Sequence, residues 1–291
     1  MASNRYATRW RQAAPLPQGL TANLRSWARN AILFAKAARA RPHSVPFLRG
    51  LYCHYVFDDQ IEDFERLIVE LKSLGRFIDT DTCLDILEGN RGLDGQYFHL
   101  SFDDGFRNVY TNAAPILRKE NVPAAVFVCT GLIGAGWDDT QDFCLNTGRY
   151  RGVIEMMQWD DLGKLVEDGM EIGSHTRLHA RLSDISHDLG RLKNEIMGSK
   201  QELEERLGRP CRYISWPFGR RSDVDAVALQ MTRKAGYRAC FGAFRGSIQP
   251  QRTDPFSIPR HHFEPQWPLS HVKYFAYGNM EDPICRPAGS R

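Results

Sequence analysis

Short apolar segments alternate with segments of helical periodicity along most of this chain, and this alternation restricts the folds open to it. Apolar, β-branched or aromatic runs are typical of strands, whereas apolar residues three and four positions apart are typical of amphipathic helices. Strands that alternate with helices predict a parallel α/β architecture. The predicted strands span residues 50–57, 97–102, 124–129, 172–174, 213–216, 239–241 and 256–259.

Helical periodicity is found between these strands. The predicted helices span residues 59–74, 109–120, 159–168 and 185–207. Gly75 and Gly169 follow two of them, and glycine is common directly after a helix. Residues 134–152 have no clear period and contain Gly, Asp, Asn and Thr. We expect a long surface loop there, and loops of that length are often functional.

Composition and charge exclude several classes of protein. Of 291 residues, 42% are hydrophobic and 25% are charged, which excludes a mostly disordered or collagen-like chain. Lys and Arg number 38 and Asp and Glu 35, so the net charge of +3 predicts no nucleic-acid partner. Seven cysteines without CxxC spacing argue against a disulfide framework. With no apolar span or secretion signal in the sequence, we expect a reduced, cytoplasmic location.

The N-terminal part of the chain is basic, because residues 1–57 contain nine Lys or Arg and no acidic residue. Leu24, Trp27 and Phe34 recur at helical spacing, with Arg25 and Arg29 on the other side. Such a helix docks on the protein itself or lies on an anionic membrane, and a targeting sequence or nucleic-acid arm is a further alternative. Docking on the protein itself is the favoured interpretation, and peripheral contact through residues 20–41 with the inner face of the membrane is the main alternative.

An apolar strand that ends in two adjacent carboxylates is the strongest chemical signal. Residues 99–106 read His-Leu-Ser-Phe-Asp-Asp-Gly-Phe, and reactive groups gather at the C-terminal ends of strands in parallel α/β folds. Adjacent residues point in different directions, so Asp103 and Asp104 can take different roles, one towards a metal and one towards water. The alternative is an ordinary Asp-Gly turn.

Histidines follow two other predicted strands. His175 and His179 lie four residues apart after residues 170–172, and they share one face if the turn is helical, which suits a common metal ion. His261 and His262 follow the strand predicted at 256–259. Neutral imidazoles with one carboxylate suit Zn, Ni, Co or Fe.

Together these segments resemble the polysaccharide deacetylase family, the NodB-homology or carbohydrate esterase 4 group. Ser101–Gly105 resembles the first family motif, and His175–His179 resembles the second. Trp216–Gly219 is similar to the third motif, Gly236–Phe241 lies where the fourth falls, and Ile258–His261 resembles the last. The order and spacing agree over about residues 51–263.

The resemblance implies a distorted parallel (β/α) barrel and hydrolysis of the N-acetyl group of an amino sugar. The substrate would be a polysaccharide, an oligosaccharide or a lipid-linked glycan. We expect a basic N-terminal extension (residues 1–45), a deacetylase domain (46–265) and a C-terminal tail (266–291). The oligomeric state is left open.

The resemblance also implies roles for single residues. Asp104, His175 and His179 would hold one divalent metal, with zinc expected and Co, Ni, Fe or Mn compatible. Asp103 would be the general base, and His261 would protonate the departing amine, with His262 as its close competitor. Oxyanion and substrate contacts would come from the third motif: Trp216, Pro217 and Phe218.

Two positions depart from the family pattern. Members often carry an Arg directly before the proline of the third motif, where this chain has Ser215 and Trp216. The fourth motif usually supplies an Asp, but residues 239–246 contain no acid. Two alternatives follow: a deformylase or other amidohydrolase on the same fold, or a glycan-binding protein that has lost catalysis.

Overall fold

Parallel strands form the centre of the molecule. The computed structural model describes residues 6–14, 31–36, 45–279 and 281. Those residues contain eight strands, in chain order: β1 (Phe47–Cys53), β2 (Arg76–Phe77), β3 (Gln96–Phe102), β4 (Ala124–Val128), β5 (Glu171–Ser174), β6 (Tyr213–Ser215), β7 (Ala239–Phe241) and β8 (Arg260–His262).

Helices connect the strands and cover the outside of the sheet. Within the described residues the α-helices are Trp10–Ala13, Ile61–Leu74, Thr80–Glu88, Ala114–Lys119, Trp137–Asp142, Trp159–Glu167, Leu182–Ile185, Leu189–Lys193, Ser199–Leu207, Ala226–Lys234 and Leu269–Ala276. Wider π-helical turns occupy Val109–Ala113, Phe143–Thr147 and Asn194–Gly198, and single 3-10 turns occupy Asp58–Gln60, Thr130–Leu132 and Arg221–Asp223.

The sheet curls into an incomplete barrel. Its order is β7-β6-β5-β4-β3-β1-β8, with β2 also paired to β3, and the strand pairs among the described residues are parallel. An isolated parallel bridge between Phe241 and Ile258 brings the two ends of this order together. The predicted distorted parallel barrel is therefore confirmed, and the C-terminal ends of the strands meet at one rim.

Burial on both faces explains the apolar runs of the strands. All seven residues of β1 and all five of β4 are buried, as expected for a parallel sheet that has side chains on both sides. Phe127 and Phe241 meet with ring centroids 5.3 Å apart, and His99 stacks on Phe241. Burying one such aromatic side chain contributes about 1.5–3 kcal/mol.

Some elements differ from those predicted. Thr80–Glu88 is a helix that the sequence analysis omits, although Asp79 caps it by accepting a hydrogen bond from the Thr82 N–H, and Gly89 ends it at φ +83°. The last strand lies at 260–262 and not at 256–259, because β8 pairs with residues 50–52 of β1. The predicted loop at 134–152 contains the helix Trp137–Asp142.

Residues 6–14 form a strap across the outside of the barrel rim, here called the N-terminal strap. The Ala7 N–H donates to the Val153 carbonyl at 2.7 Å, and the Trp10 N–H donates to Asp59 at 2.9 Å. Ala13 is buried in an apolar cluster that also contains Tyr55. This part of the predicted 1–45 extension thus packs on the residues that surround the rim.

Other parts of the termini are described more sparsely. Residues 31–36 are helical, and the side chains of Ile32 and Phe34 are 57% and 64% exposed. The rest of the predicted 20–41 segment lies outside the described residues. No helix in the described part of the chain has both the length and the apolar character that a membrane span needs. In the predicted C-terminal tail, the helix Leu269–Ala276 buries Val272 and Phe275 against the barrel.

Candidate active site

A pocket of about 250 Å³ opens at the rim where the C-terminal ends of the strands meet. Its lining combines carboxylates and histidines with aromatic rings, as is common in ligand sites. The lining residues are Tyr52, His54, Tyr55, Asp103, Asp104, Phe143, Thr147, Gly148, Tyr150, His175, His179, Trp216, Phe218, Gly219, Ala243, His262 and Glu264.

One wall of the pocket brings together Asp104, His175 and His179, here called the first triad. Oδ1 of Asp104 lies 3.5 Å from Nε2 of His175 and 3.4 Å from Nε2 of His179. This Oδ1 is buried and has no hydrogen-bond partner among the described residues. Two imidazoles and one unpaired carboxylate oxygen fit a divalent transition metal, so the donor set suits the cation that the sequence predicts.

Burial and one backbone contact prepare His175 for this role. Its Nδ1 lies 2.8 Å from the Ser215 carbonyl, and an Nδ1–H donating to that oxygen leaves Nε2 with a free lone pair towards Asp104. Burial also lowers the pKa of His175 to about 4, which keeps the imidazole neutral at pH 7. The ring of His179 packs edge-on against Phe143 and Phe218.

Left-handed backbone is concentrated at this site. Asp104 (φ +74°), Thr176 (+65°), His179 (+59°) and Phe218 (+62°) are not glycines, and such conformations cost about 1–3 kcal/mol each. The two histidines therefore come together on an irregular turn after β5. The helical turn that the sequence analysis considers is not formed, because Thr176 and His179 both leave the right-handed helical region.

Asp103 lies beside the first triad and is held by Arg260. The guanidinium donates to both carboxylate oxygens, at 2.8 and 2.7 Å, and also to the hydroxyls of Ser101 and Ser215. Burial alone would raise the pKa of Asp103, but the Arg260 charge and hydrogen bonds lower it below its ordinary value. Asp103 is therefore an ionised carboxylate with a fixed orientation.

Arg260 supplies from β8 the contact that family members often take from the third motif. Sequence reasoning passed over it, because nothing local shows that β8 pairs with β1. The available signal was strand alternation, which places Arg260 and His262 on one face of β8 and His261 on the other.

The two adjacent histidines of β8 have different surroundings. His261 is 1% exposed and lies outside the pocket, with Nε2 3.7 Å from Oε1 of Glu281. Glu281 also accepts a hydrogen bond from Nε of Arg49 at 3.0 Å. His262 lines the pocket, whereas His261, the histidine expected to act as the acid, faces the other side of the strand.

The opposite wall of the pocket carries His54, His262 and Glu264, here called the second triad. Nε2 of His262 lies 3.1 Å from Oε1 of Glu264, and the rings of His54 and His262 are 5.4 Å apart between centroids. Burial would raise the pKa of Glu264, but His262, His54 and the Tyr55 hydroxyl lower it. An acidic residue therefore lies beside His262, although residues 239–246 contain none.

His54 is a pocket residue that the sequence analysis left without a role. It directly follows β1, and the Asp103 N–H donates to the carbonyl of its neighbour Cys53 at 3.1 Å. His54 contributes to lowering the pKa of both Asp103 and Asp104, so its ring lies near both carboxylates. Its position could have been noticed in the sequence, because His54 lies near the end of a predicted strand just as Asp103 does.

The third motif lies at the mouth of the pocket. Phe218 is 41% exposed, and its ring lies between His179, at 4.8 Å between centroids, and the guanidinium of Arg181, at 4.1 Å. Trp216 is buried, and its Nε1–H donates to the Arg220 carbonyl at 3.0 Å. Pro217 is buried and does not line the pocket. Trp216 and Phe218 therefore contribute to the walls of the site.

Comparison with known proteins gives the same family. The family model described as polysaccharide deacetylase matches residues 90–240, which is more than half of the chain. Poly-beta-1,6-N-acetyl-D-glucosamine N-deacetylase of Staphylococcus aureus is 25% identical over 168 residues, covering 55% of this chain and 52% of that protein. The chain thus spans about half the length of the curated relatives it matches.

Solved structures agree in fold. IcaB from Ammonifex degensii has a TM-score of 0.64 at 24% identity, over 80% of this chain and 98% of that one. The Streptococcus pyogenes deacetylase PplD, solved with acetate, has a TM-score of 0.64 at 20% identity, over 80% and 99%. The family match includes both carboxylates at the end of β3 and both histidines of the first triad. The chain belongs to the polysaccharide deacetylase family.

Proposed function

We propose that this protein is a metal-dependent deacetylase that hydrolyses the N-acetyl group of an amino sugar in a glycan. One observation carries the proposal: an ionised, arginine-held Asp103 lies beside a triad suited to a metal, within one open pocket. The name of the Staphylococcus aureus relatives supports a poly-N-acetylglucosamine-like glycan as the substrate class.

The first triad would hold the metal, and we propose zinc as its identity. Two imidazoles and a carboxylate match the ligands that zinc takes in catalytic sites. A divalent cation bound there supplies Lewis acidity, which lowers the pKa of bound water and polarises the acetamide carbonyl.

Asp103 would accept the proton of the attacking water. General bases of this kind contribute about 10²–10⁴-fold to the rate. Arg260 limits the motion of the carboxylate through two parallel hydrogen bonds and keeps it ionised. The other carboxylate of the pair, Asp104, is left for the metal.

The backbone N–H of Phe218 would stabilise the oxyanion. Among the described residues this N–H has no backbone acceptor, and the turn around it is fixed by Gly219 at φ +73°. A Cβ at Gly219 would lie 2.0 Å from the Cβ of Ala243, so only glycine fits there. A preorganised donor at such a position contributes about 10²–10³-fold.

We propose His54 as the acid that protonates the departing amine, in place of His261. It lines the pocket next to the two carboxylates, whereas His261 lies outside it. The His262 ring lies 5.4 Å from the His54 ring between centroids and contacts Glu264, so this pair would orient the ring of His54.

The proposal is tested by acetate release from short β-1,6-linked N-acetylglucosamine oligomers, with zinc-loaded and metal-stripped full-length protein. We expect zinc-dependent release, and a loss of about 10²–10⁴-fold in Asp103→Asn, which still binds zinc. Asp160→Asn, a change at an exposed acid, is the matched control. Full activity in Asp103→Asn would contradict the assignment of the base.

The same substrates separate the alternatives. Release of formate from N-formyl sugars without acetate release would favour a deformylase. Binding of the oligomers without turnover, at every metal tested, would favour a glycan-binding protein that has lost catalysis.

We also propose peripheral contact with anionic membranes through the basic N-terminal residues. The exposure of Ile32 and Phe34 within residues 31–36 supports it, since these side chains would enter the lipid headgroup region. Co-sedimentation of the full-length protein with anionic vesicles should decrease in the double variant Ile32→Ser, Phe34→Ser. Equal binding by both proteins would count against the proposal.

A further inference from the structure

The second triad has the same chemical composition as the first. Each consists of two histidines and one carboxylate, and in each the three ligand atoms lie within 4.8 Å of one another. In the second triad, Nε2 of His262 and Oε2 of Glu264 are buried without a hydrogen-bond partner in the described part of the chain. The 3.1 Å contact between His262 and Glu264 thus lacks hydrogen-bond alignment.

We infer that His54, His262 and Glu264 form a second, weaker binding site for a divalent cation such as zinc, and that its occupation inhibits the enzyme. The two triads come from different strand ends, β3 and β5 for the first and β1 and β8 for the second. Each can therefore take its own ion within the one pocket. Two imidazoles and a carboxylate are sufficient protein ligands for zinc, with solvent in the remaining position.

The surroundings explain why this site would bind more weakly than the first. The His262 and Glu264 side chains are 27% and 13% exposed, whereas those of the first triad are 3–10% exposed. His175 has its Nδ1 against a backbone carbonyl, while no such contact to either histidine of the second triad is found in the described residues. Loss of such an outer contact typically lowers metal affinity 10–100-fold.

Inhibition follows from what the cation would replace. A zinc ion on the ring of His54 forms a metal–nitrogen bond where the acid carries its N–H, and any displaced proton goes to solvent. His54 then has no proton to give to the departing amine. This consequence rests on the proposed function, whereas the binding of the second ion does not.

Metal binding is measured on full-length, metal-stripped protein by calorimetric titration with zinc and by cobalt absorption spectra. We expect two equivalents in the wild type, the second about 10–100-fold weaker. Glu264→Gln and, independently, His262→Gln should keep the tight equivalent and lose the weak one. His179→Ala should lose the tight one. His187→Ala, which removes an exposed histidine outside the pocket, should keep both.

Two results would overturn the site. One is a wild type that binds a single equivalent up to millimolar zinc, and the other is a second equivalent that survives in both Glu264→Gln and His262→Gln. Thermal unfolding of each variant shows that it is folded, and either variant alone is sufficient for the test.

Activity measured at each point of the zinc titration separates the two proposals. We expect acetate release to rise with the first equivalent and to fall at least tenfold as the second binds. In Glu264→Gln, activity relative to that variant's own maximum should not fall. Two bound equivalents without any acetate release would refute the deacetylase and leave the site. Release that persists with both sites filled would refute the inhibition.

Discussion

Each of the two walls of the pocket carries two histidines and one carboxylate, yet the surroundings of these side chains differ. In the first triad the ligands are almost fully buried, a backbone carbonyl contacts one ring, and left-handed residues fix the turn. In the second triad the His262 and Glu264 side chains are more exposed, and no backbone carbonyl contacts either histidine ring within the described residues. Two triads of the same composition therefore differ in their surroundings, and these differences underlie the separate roles proposed for them.

The largest effect is expected from removing both histidines of the first triad. His175→Ala, His179→Ala should lose the tight metal ion and, because Lewis acidity is worth several kcal/mol, roughly 10³-fold or more in kcat. Elemental analysis and acetate release measure the two losses on the same sample. If that variant keeps its metal and its turnover, the walls have been assigned the wrong way round.

A smaller effect is expected on the opposite wall. His54→Gln should lower kcat by roughly 10²-fold, since it removes a general acid, while the tight metal ion stays bound. His261→Gln is the matched change behind the strand and should alter kcat by less than about threefold. The acid is misassigned if the two variants show the reverse order in steady-state kinetics.

Substitution of Arg260 tests how far the burial of Asp103, the proposed base, depends on this arginine. Arg260→Met leaves Asp103 buried without its counter-charge, and breaking a buried ion pair costs about 3–5 kcal/mol of unfolding free energy. Urea unfolding measures the loss. Arg260→Lys keeps the charge but not the two parallel hydrogen bonds, so its loss of unfolding free energy should be smaller. Equal losses in the two variants would mean that a positive charge without this geometry does not stabilise Asp103.

The smallest effect is expected from His261 and Glu281, a histidine–carboxylate pair that lies outside the pocket. Burial raises the pKa of Glu281, but the effect of His261 and Arg49 is opposite and larger. The pKa of Glu281 in the folded protein is therefore below its ordinary value. The ionised Glu281 therefore contributes to the free energy of unfolding above pH about 4, and this contribution is lost as the pH falls through the pKa of the folded state.

Glu281→Gln should therefore lower unfolding free energy by about 1.5–3 kcal/mol at pH 7, the value of a hydrogen bond to a charged group. The difference from wild type should shrink as the pH falls below 4, and the zinc stoichiometry should not change. If urea unfolding gave the same difference in unfolding free energy between wild type and Glu281→Gln at pH 3 and pH 7, the charge of Glu281 would not be what stabilises the fold.

Much of the fold could be predicted because each strand of a parallel sheet is a local signal. β3 and β4 were predicted from continuous apolar runs, and the structure confirms both to within one residue. The helix Thr80–Glu88 was missed although Asp79 and Gly89 mark its ends. The position of β8 could not be read locally, since pairing with β1 decides it.

The same distinction applies to the site. The first triad lies in two short motifs, so the resemblance to the family was sufficient to group Asp104, His175 and His179 as metal ligands. Arg260 contacts Asp103, and His54 follows Cys53, whose carbonyl accepts the Asp103 N–H, across sequence separations that no local pattern records. Their roles depend on which face of a strand meets the pocket, and that is fixed by packing.

The left-handed residues of the pocket have a consequence for how such a protein changes over generations. Thr176 is buried between the two histidines of the first triad at φ +65°, and a glycine there would relieve its strain. That exchange would remove the backbone strain while loosening the turn that holds both histidines of the proposed metal site. Selection for stability and selection for turnover therefore oppose each other at this position. In a lineage released from catalysis, glycine should replace Thr176 before the histidines themselves are lost.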